Sequence, residues 1–275
     1  MIDNERIPPE MLERIEEFTL LDDIFMSAVF DNNPDAAGAL LRIILDRKDL
    51  TVTDVHAQKR LINLLYHGVT LDIDATTSTG DHMDVEVQRE SKGAPPRRGR
   101  YILTMMDHAG LEKGLDYTEL RDSYVIFITE RDYFGLGKPL YKAEWKLIDA
   151  EETPFDVGTH MIYVNGAFKA KPGEETELSK LIHDFHCKKA EDMLIPELAS
   201  TVWDFKNTER GQKAVSKVIQ DLIENAEAAA VIGALTESVV NIVANLHLSV
   251  DQAMDALAIP ADQRIEIKKR LEENK

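Results

Sequence analysis

Thiols, aromatic rings, basic charge and long apolar runs are all scarce in this chain of 275 residues. A single cysteine, Cys187, excludes an internal disulfide and leaves no second thiol for a zinc site, so a small buried apolar role is expected for it. Aromatic residues make up 7% of the chain, which argues against a glycoside hydrolase, whose paired carboxylates usually sit among aromatic sugar platforms. Basic side chains number 32 against 50 acidic ones, a formal net charge of −18. That balance excludes a generic nucleic-acid coat, because phosphate binding draws on Lys and Arg, and any such contact must be local. No run approaches the apolar length of a membrane span; the nearest, Ala228–Leu235, is short and mostly alanine. The opening residues, MIDNERIPPEM, carry acids where a signal peptide would carry bases and an apolar stretch, so a cytoplasmic protein without a membrane partner is expected.

What is present suffices for a core: 44% of residues are hydrophobic, enough for one large domain or two smaller ones. The front of the chain reads as helix. Pro8 and Pro9 precede Met11, Leu12, Ile15 and Phe18 at helical spacing, Asp22–Phe30 presents Ile24, Phe25, Ala28 and Val29, and Pro34 opens a third helix through Leu45. From Leu50 the period becomes two, weakly in Thr51–Val55 and Leu61–Leu65. It is clear where Val69, Leu71, Ile73 and Ala75, then Met83, Val85 and Val87, alternate with polar residues around the turn Ser78-Thr79-Gly80-Asp81. Residues 97–113 return to helix, Tyr124–Thr129 reads as a buried strand, and Lys142–Ile148 and His160–Val164 read as further strands. The rest is helical: Val215, Val218, Ile219, Leu222 and Ile223 form an apolar stripe, and Ser249-Val250-Asp251-Gln252 has the form of a helix N-terminal cap. The stretch Lys171-Pro172-Gly173-Glu174-Glu175 is the expected boundary, giving domains 1–172 and 173–275.

The hairpin carries the chemistry. Alternate side chains of a strand share a face, so Asp72 and Asp74 lie together, as do Asp84, Glu86 and Gln88 on the next strand. The commoner meaning of such alternation is a polar face in solvent, but this face is almost purely acidic and needs water, bases or a cation to neutralise it. Carboxylate oxygens with a backbone carbonyl suit a hard cation such as Mg²⁺ or Mn²⁺. Directly downstream the charge reverses: Arg89, Lys92, Arg97, Arg98 and Arg100 accompany one acid, Glu90. His183 and His186 have the spacing of a helical metal pair beside Cys187, though without further ligands nearby a helix-surface or core role is favoured. His67, before Gly68, reads as a turn residue or a proton shuttle, and Trp203, Phe205, Met105 and Met106 read as core.

Helix, three-strand meander, helix and strand, with Asp72 on one strand and Glu86-Val87-Gln88 on the next, resemble the PD-(D/E)XK nuclease superfamily, and more narrowly the Rpn-like recombination-promoting nucleases, or PD-(D/E)XK nuclease family transposases. The resemblance includes Leu21-Asp22-Asp23-Ile24-Phe25-Met26, Leu41-Arg42-Ile43-Ile44-Leu45, Leu71-Asp72-Ile73, Val85-Glu86-Val87-Gln88-Arg89, Lys92-Gly93 leading to Arg100-Tyr101, Tyr124–Thr129 and the segment from His160 to Gly166. It extends to about Phe205 and fades after about residue 233. It implies an α/β fold with a restriction-endonuclease-like core, a mixed central sheet flanked by helices in the order αβββαβ, and an all-helical C-terminal region. It further implies Asp72, Glu86 and the Val87 carbonyl as metal ligands for Mg²⁺ or Mn²⁺, and Gln88 where a water-positioning lysine usually stands. Asp22 or Asp23 would supply a further acid, and Arg100, with Arg97 and Arg98 as the alternatives, the positive charge that Gln88 lacks. Arg89, Lys92, Arg97 and Arg98 would join Arg100 in holding DNA.

Two functions of different class follow. One is a divalent-metal-dependent DNA endonuclease hydrolysing phosphodiester bonds, paired through its helical C-terminal region to cut both strands. The other is a nuclease fold that binds DNA or a protein partner with little turnover, favoured by the missing lysine and the net charge.

Overall fold

The computed structural model describes residues 7–61, 68–89 and 93–273; His67 and Lys92 lie outside the described residues. The chain divides into two compact units, residues 1–216 and 217–275.

In the first unit the helices before the first strand and the strands of the hairpin fall where periodicity and proline punctuation put them. Helices α1 (Pro9–Glu17), α2 (Asp23–Phe30) and α3 (Pro34–Leu45) precede strands β1 (Val52–Leu61), β2 (Val69–Thr77) and β3 (His82–Gln88). Asn33 caps α3 by accepting from the Ala36 amide, and Pro34 occupies its first turn. Helix α4 (Pro96–Gly110) follows, then β4 (Ser123–Thr129), β5 (Leu140–Ala143) and β6 (Thr159–Asn165). The described strands form a mixed sheet in the order β1-β2-β3-β4-β6-β5. β1, β2 and β3 pair antiparallel, β3, β4 and β6 run parallel, and β5 closes the edge antiparallel to β6. The edge strand starts earlier than the alternation in Lys142–Ile148 suggests, because pairing of Leu140 with Val164 through Ala143 with Met161 sets its register.

Helix α4 lays Ile102, Leu103, Met105 and Met106 against Val125, Phe127, Tyr163, Leu71 and Leu61, while α2 and α3 pack on β1. Gly99 permits this close approach, since a Cβ there would lie 2.8 Å from Met161 Cε and 3.0 Å from the Phe127 ring. The unit runs past the 170–178 loop: α5 (Glu177–Asp184) and α6 (Pro196–Asn207) both pack on α3, which joins them to the sheet's own core. Met105 and Met106 are buried as expected, but Trp203, also expected in the core, is 47% exposed on α6. The buried place one turn along belongs to Lys206, whose ammonium donates to the carbonyls of Glu16 (2.9 Å), Phe18 (2.6 Å) and Lys188.

Helix α7 spans Glu209–Leu246. Within the second unit, α8 (Val250–Ala256) begins at a Ser249/Gln252 capping box, and α9 (Ala261–Glu273) follows. The second unit has its own core of Val239, Ala253, Met254, Ile259 and Ile267. Among the described residues no single helix is long and apolar enough to cross a membrane; only Ala230–Leu246 with Val250–Ala256 reaches that composition, bent by 111°.

Candidate active site

The paired strands β2 and β3 bring the acidic residues together. Their register runs from Thr76 opposite His82 to Ile73 opposite Val85, with Asp74 directly opposite Asp84. At the next step the Asp72 carboxylate takes the place of a backbone partner, its Oδ2 accepting from the Val87 amide at 3.2 Å. Its other oxygen accepts from Gln58 Nε2 at 3.4 Å, and Gln58 has a left-handed backbone (φ 53°) at the matching point of β1. Leu71 is found with Leu61 in the cluster beneath α4.

Two faces, one greasy and one solvated, would be the ordinary outcome of such alternation. Here the acidic face is buried as well: Asp84 and Glu86 are 0% exposed and Asp74 1%. Asp74 and Asp84 are therefore not solvated strand residues, contrary to the commoner expectation. Each acid meets the burial differently. Burial pushes Asp74 up, but the His82 imidazole on Oδ1 and the Lys59 ammonium on Oδ2 outweigh it and hold the carboxyl below its ordinary range. Asp84 has no such basic partners; burial, then the charge of Glu86, push it well up, and the protonated carboxyl can donate to its neighbour Glu86. Burial and the neighbouring Asp72 raise Glu86 to about 7, against the opposing pull of Arg98. Burial and Asp23 raise Asp72 to about 6. Asp84 and Glu86 are neighbours on one face of β3, and no donor from elsewhere in the described residues reaches Asp84 Oδ1, Asp84 Oδ2 or Glu86 Oε1; buried acceptor oxygens of this kind are what a hard cation takes. The donor chemistry, carboxylate oxygens alone, is that of a hard divalent ion, although Asp72, Asp84 and Glu86 are not among the described side chains that bring three ligand atoms within 4.8 Å of one another.

The flanking groups fall into two sets. Gln88 donates its Nε2 to Glu86 Oε2 at 3.2 Å. Gly93 makes room for that side chain, since a Cβ there would lie 1.9 Å from Gln88 Oε1. Arg98 is the guanidinium that reaches the cluster, donating Nη2 to Glu86 Oε2 and Nη1 to the Gly93 carbonyl at 2.9 Å. Arg97 and Arg100 are exposed and line a groove on the other flank of α4, so Arg100 does not stand beside the carboxylates. A basic run on a helix splits in this way because successive side chains turn by roughly 100°.

At the start of α2 the two acids also separate. Asp22 Oδ2 accepts from the Thr19 amide (2.8 Å) and hydroxyl (3.0 Å), and its Oδ1 accepts from Arg89 at 2.7 Å. Asp23 is the acid whose charge acts on Asp72, and burial, then Asp22, raise its own carboxyl. Arg89 also approaches Glu130 at 3.8 Å. Lys59 and His82 escaped the sequence reading; the available signal was that His82 shares its strand face with Asp84 and Glu86.

The second cluster is structural. His183, Asp184 and Cys187 place possible ligand atoms within 4.8 Å of one another. The buried Asp184 carboxylate, however, accepts the Leu194 and Ile195 amides, both at 2.8 Å, and fixes the approach to α6. Burial pushes the Cys187 thiol up to about 11, so it remains protonated at neutral pH. His186 donates to the Gly166 carbonyl at 2.7 Å.

No curated protein and no solved structure matches the chain. The family model described as "PD-(D/E)XK nuclease family transposase" matches residues 30–230, a span running from the end of α2 through the carboxylate strands, α4 and α6 into α7. By that match the chain belongs to the PD-(D/E)XK nuclease family transposases.

Proposed function

We propose that the protein is a divalent-metal-dependent DNA endonuclease that hydrolyses phosphodiester bonds, as expected for a transposase-associated nuclease. The single observation that carries this reading is the set of partnerless carboxylate oxygens of Asp84 and Glu86, buried beside Asp72 where β2 and β3 meet. Asp72, Glu86 and the Val87 carbonyl would hold Mg²⁺ or Mn²⁺, with Asp84 offering further oxygens from the same strand as Glu86 and Asp72 giving up its bonds to Gln58 and the Val87 amide. When bound, such an ion supplies a water of lowered pKa and neutralises charge building on a phosphate.

The chain's own residues do the rest. Gln88, held on Glu86 through its Nε2, keeps a carbonyl oxygen able to accept a hydrogen bond from the attacking water, but it carries no charge. Arg98 would exchange its bond to Glu86 for one to a phosphate oxygen, a bidentate preference of guanidinium groups. Asp23 increases the negative field at Asp72, and Arg89 is anchored through Asp22. DNA binding by Arg89, Lys92, Arg97, Arg98 and Arg100 completes the reading. Self-association is assigned to the helical C-terminal region, where Val231 and Val240 of α7 are about half exposed.

Nicking of supercoiled plasmid that requires Mg²⁺ or Mn²⁺, and that is lost in Asp72→Ala and Glu86→Ala, is the expected result. Cleavage that persists in EDTA, or in both variants, would overturn it. The rival, a nuclease fold that binds without turnover, rests on Arg98 already occupying Glu86 Oε2. Wild-type protein that binds DNA but leaves plasmid intact with either metal would establish it.

A further inference from the structure

Helix α4 divides its arginines between two sides, and the side away from the carboxylates has a feature of its own. Arg97 and Arg100 face Trp145 across a groove of about 450 Å³ whose floor includes Met161 of β6. The Trp145 side chain stands in the segment after β5 and is 61% exposed, an unusual placement for the largest apolar ring in a chain with two tryptophans. Among the described residues the guanidinium groups of Arg97 and Arg100 make no hydrogen bond or ion pair. In a chain of net charge −18, two uncommitted cations beside a bare indole amount to a local site for an anion with a flat face. Residues three apart on a helix are surface neighbours, so both arginines can serve one strand.

Two acids also line the groove. Asp107 accepts from Ser123 Oγ at 2.7 Å, and Glu144 is exposed. They limit the attraction to whatever the two arginines reach directly.

We infer that this groove is a strand-binding subsite in which an unpaired nucleic-acid base stacks on Trp145 while Arg97 and Arg100 contact the adjoining phosphates. A base in a duplex hides its faces in the stack, so the ligand is a single strand, a frayed end or a melted segment. The inference deepens the nuclease reading and rests on it for the substrate class.

The full-length Trp203→Phe variant leaves Trp145 as the sole fluorescent indole, since the chain has only these two tryptophans. Titration with a short thymidine oligonucleotide in EDTA should quench its emission saturably, whereas the matching duplex should not. Trp145→Ala should weaken oligonucleotide binding, read by anisotropy, by about 5- to 100-fold, and Trp145→Phe should recover most of it. Arg97→Ala with Arg100→Ala should lower the slope of log K against log salt by about 1.4, a change that a purely structural defect would not produce. The inference is overturned if the oligonucleotide does not bind, if it binds with Trp145 emission unchanged, or if Trp145→Ala binds like wild type. Plasmid cleavage measured in parallel separates the two readings: quenching without any metal-dependent cleavage sinks the nuclease and keeps the subsite, and cleavage with binding unaffected by Trp145→Ala does the reverse.

Discussion

The buried carboxylates make stability depend on pH in a direction opposite to ordinary acid denaturation. Glu86 is raised from 4.5 to about 7 by burial and by Asp72. The folded chain therefore holds this proton more tightly than the unfolded chain, and the stabilisation is complete below about pH 4.5 and is lost as pH climbs through about 7. At roughly 1.4 kcal/mol per pH unit the loss is about 3 kcal/mol. Asp72, raised from 3.8 to about 6, acts in the same sense, and the two contributions overlap because the Asp72 charge is part of what raises Glu86. In EDTA, wild-type protein should lose stability between pH 5 and 8. Glu86→Gln, which cannot ionise, should be about 3 kcal/mol more stable than wild type at pH 8, or about 2–4 °C in Tm per kcal/mol, and should match it near pH 5. Both tryptophans lie in the 1–216 unit, so indole emission follows the unit that contains the site. Mg²⁺ or Mn²⁺ at pH 8 should stabilise wild type and leave Glu86→Gln nearly unchanged. Parallel Tm profiles for the two proteins from pH 5 to 8, or a less stable Glu86→Gln at pH 8, would refute the argument.

Lys206→Met keeps the stem but strips the donors from the Glu16, Phe18 and Lys188 carbonyls, so a loss of about 2–5 kcal/mol is expected by urea titration followed at Trp203. Gly211→Ala would place a Cβ 2.3 Å from the Asp204 carbonyl oxygen and 2.4 Å from Phe205 Cα; the forced shift should cost about 1–3 kcal/mol, visible as a lower Tm. The Cys187 thiol, buried and raised to about 11, should react with a disulfide reagent at pH 8 far more slowly in the folded protein than in urea, as absorbance would record.

Much of the fold was legible because it rests on local rules. Pro34 at a helix start, the Ser249 capping box and the period-two runs on either side of Gly80 are short-range features, and the structure has an element at each. The strand-helix-strand run β3-α4-β4 follows from the change between strand and helical period, and the joint placement of Asp72, Asp74, Asp84 and Glu86 from the alternation within β2 and β3. The edge strand β5 was misplaced because an exposed edge has weak patterning and takes its register from β6. Trp203 is exposed although its side chain is apolar, which was not legible because residue type alone does not name the partner that would cover it.

The sequence by itself determined that four acids share one side of a hairpin and that a basic run follows, since strand geometry allows no other arrangement of alternate residues. Only the tertiary structure decided that this acidic side is dry, that Arg98 and not Arg100 meets Glu86, and that Asp74 is paired with basic groups while Asp84 is not. Desolvation and pairing are set by whatever packs over a strand from elsewhere in the chain, here the turn of α4 that carries Arg98 and the β1 residue Lys59, and no local pattern encodes them.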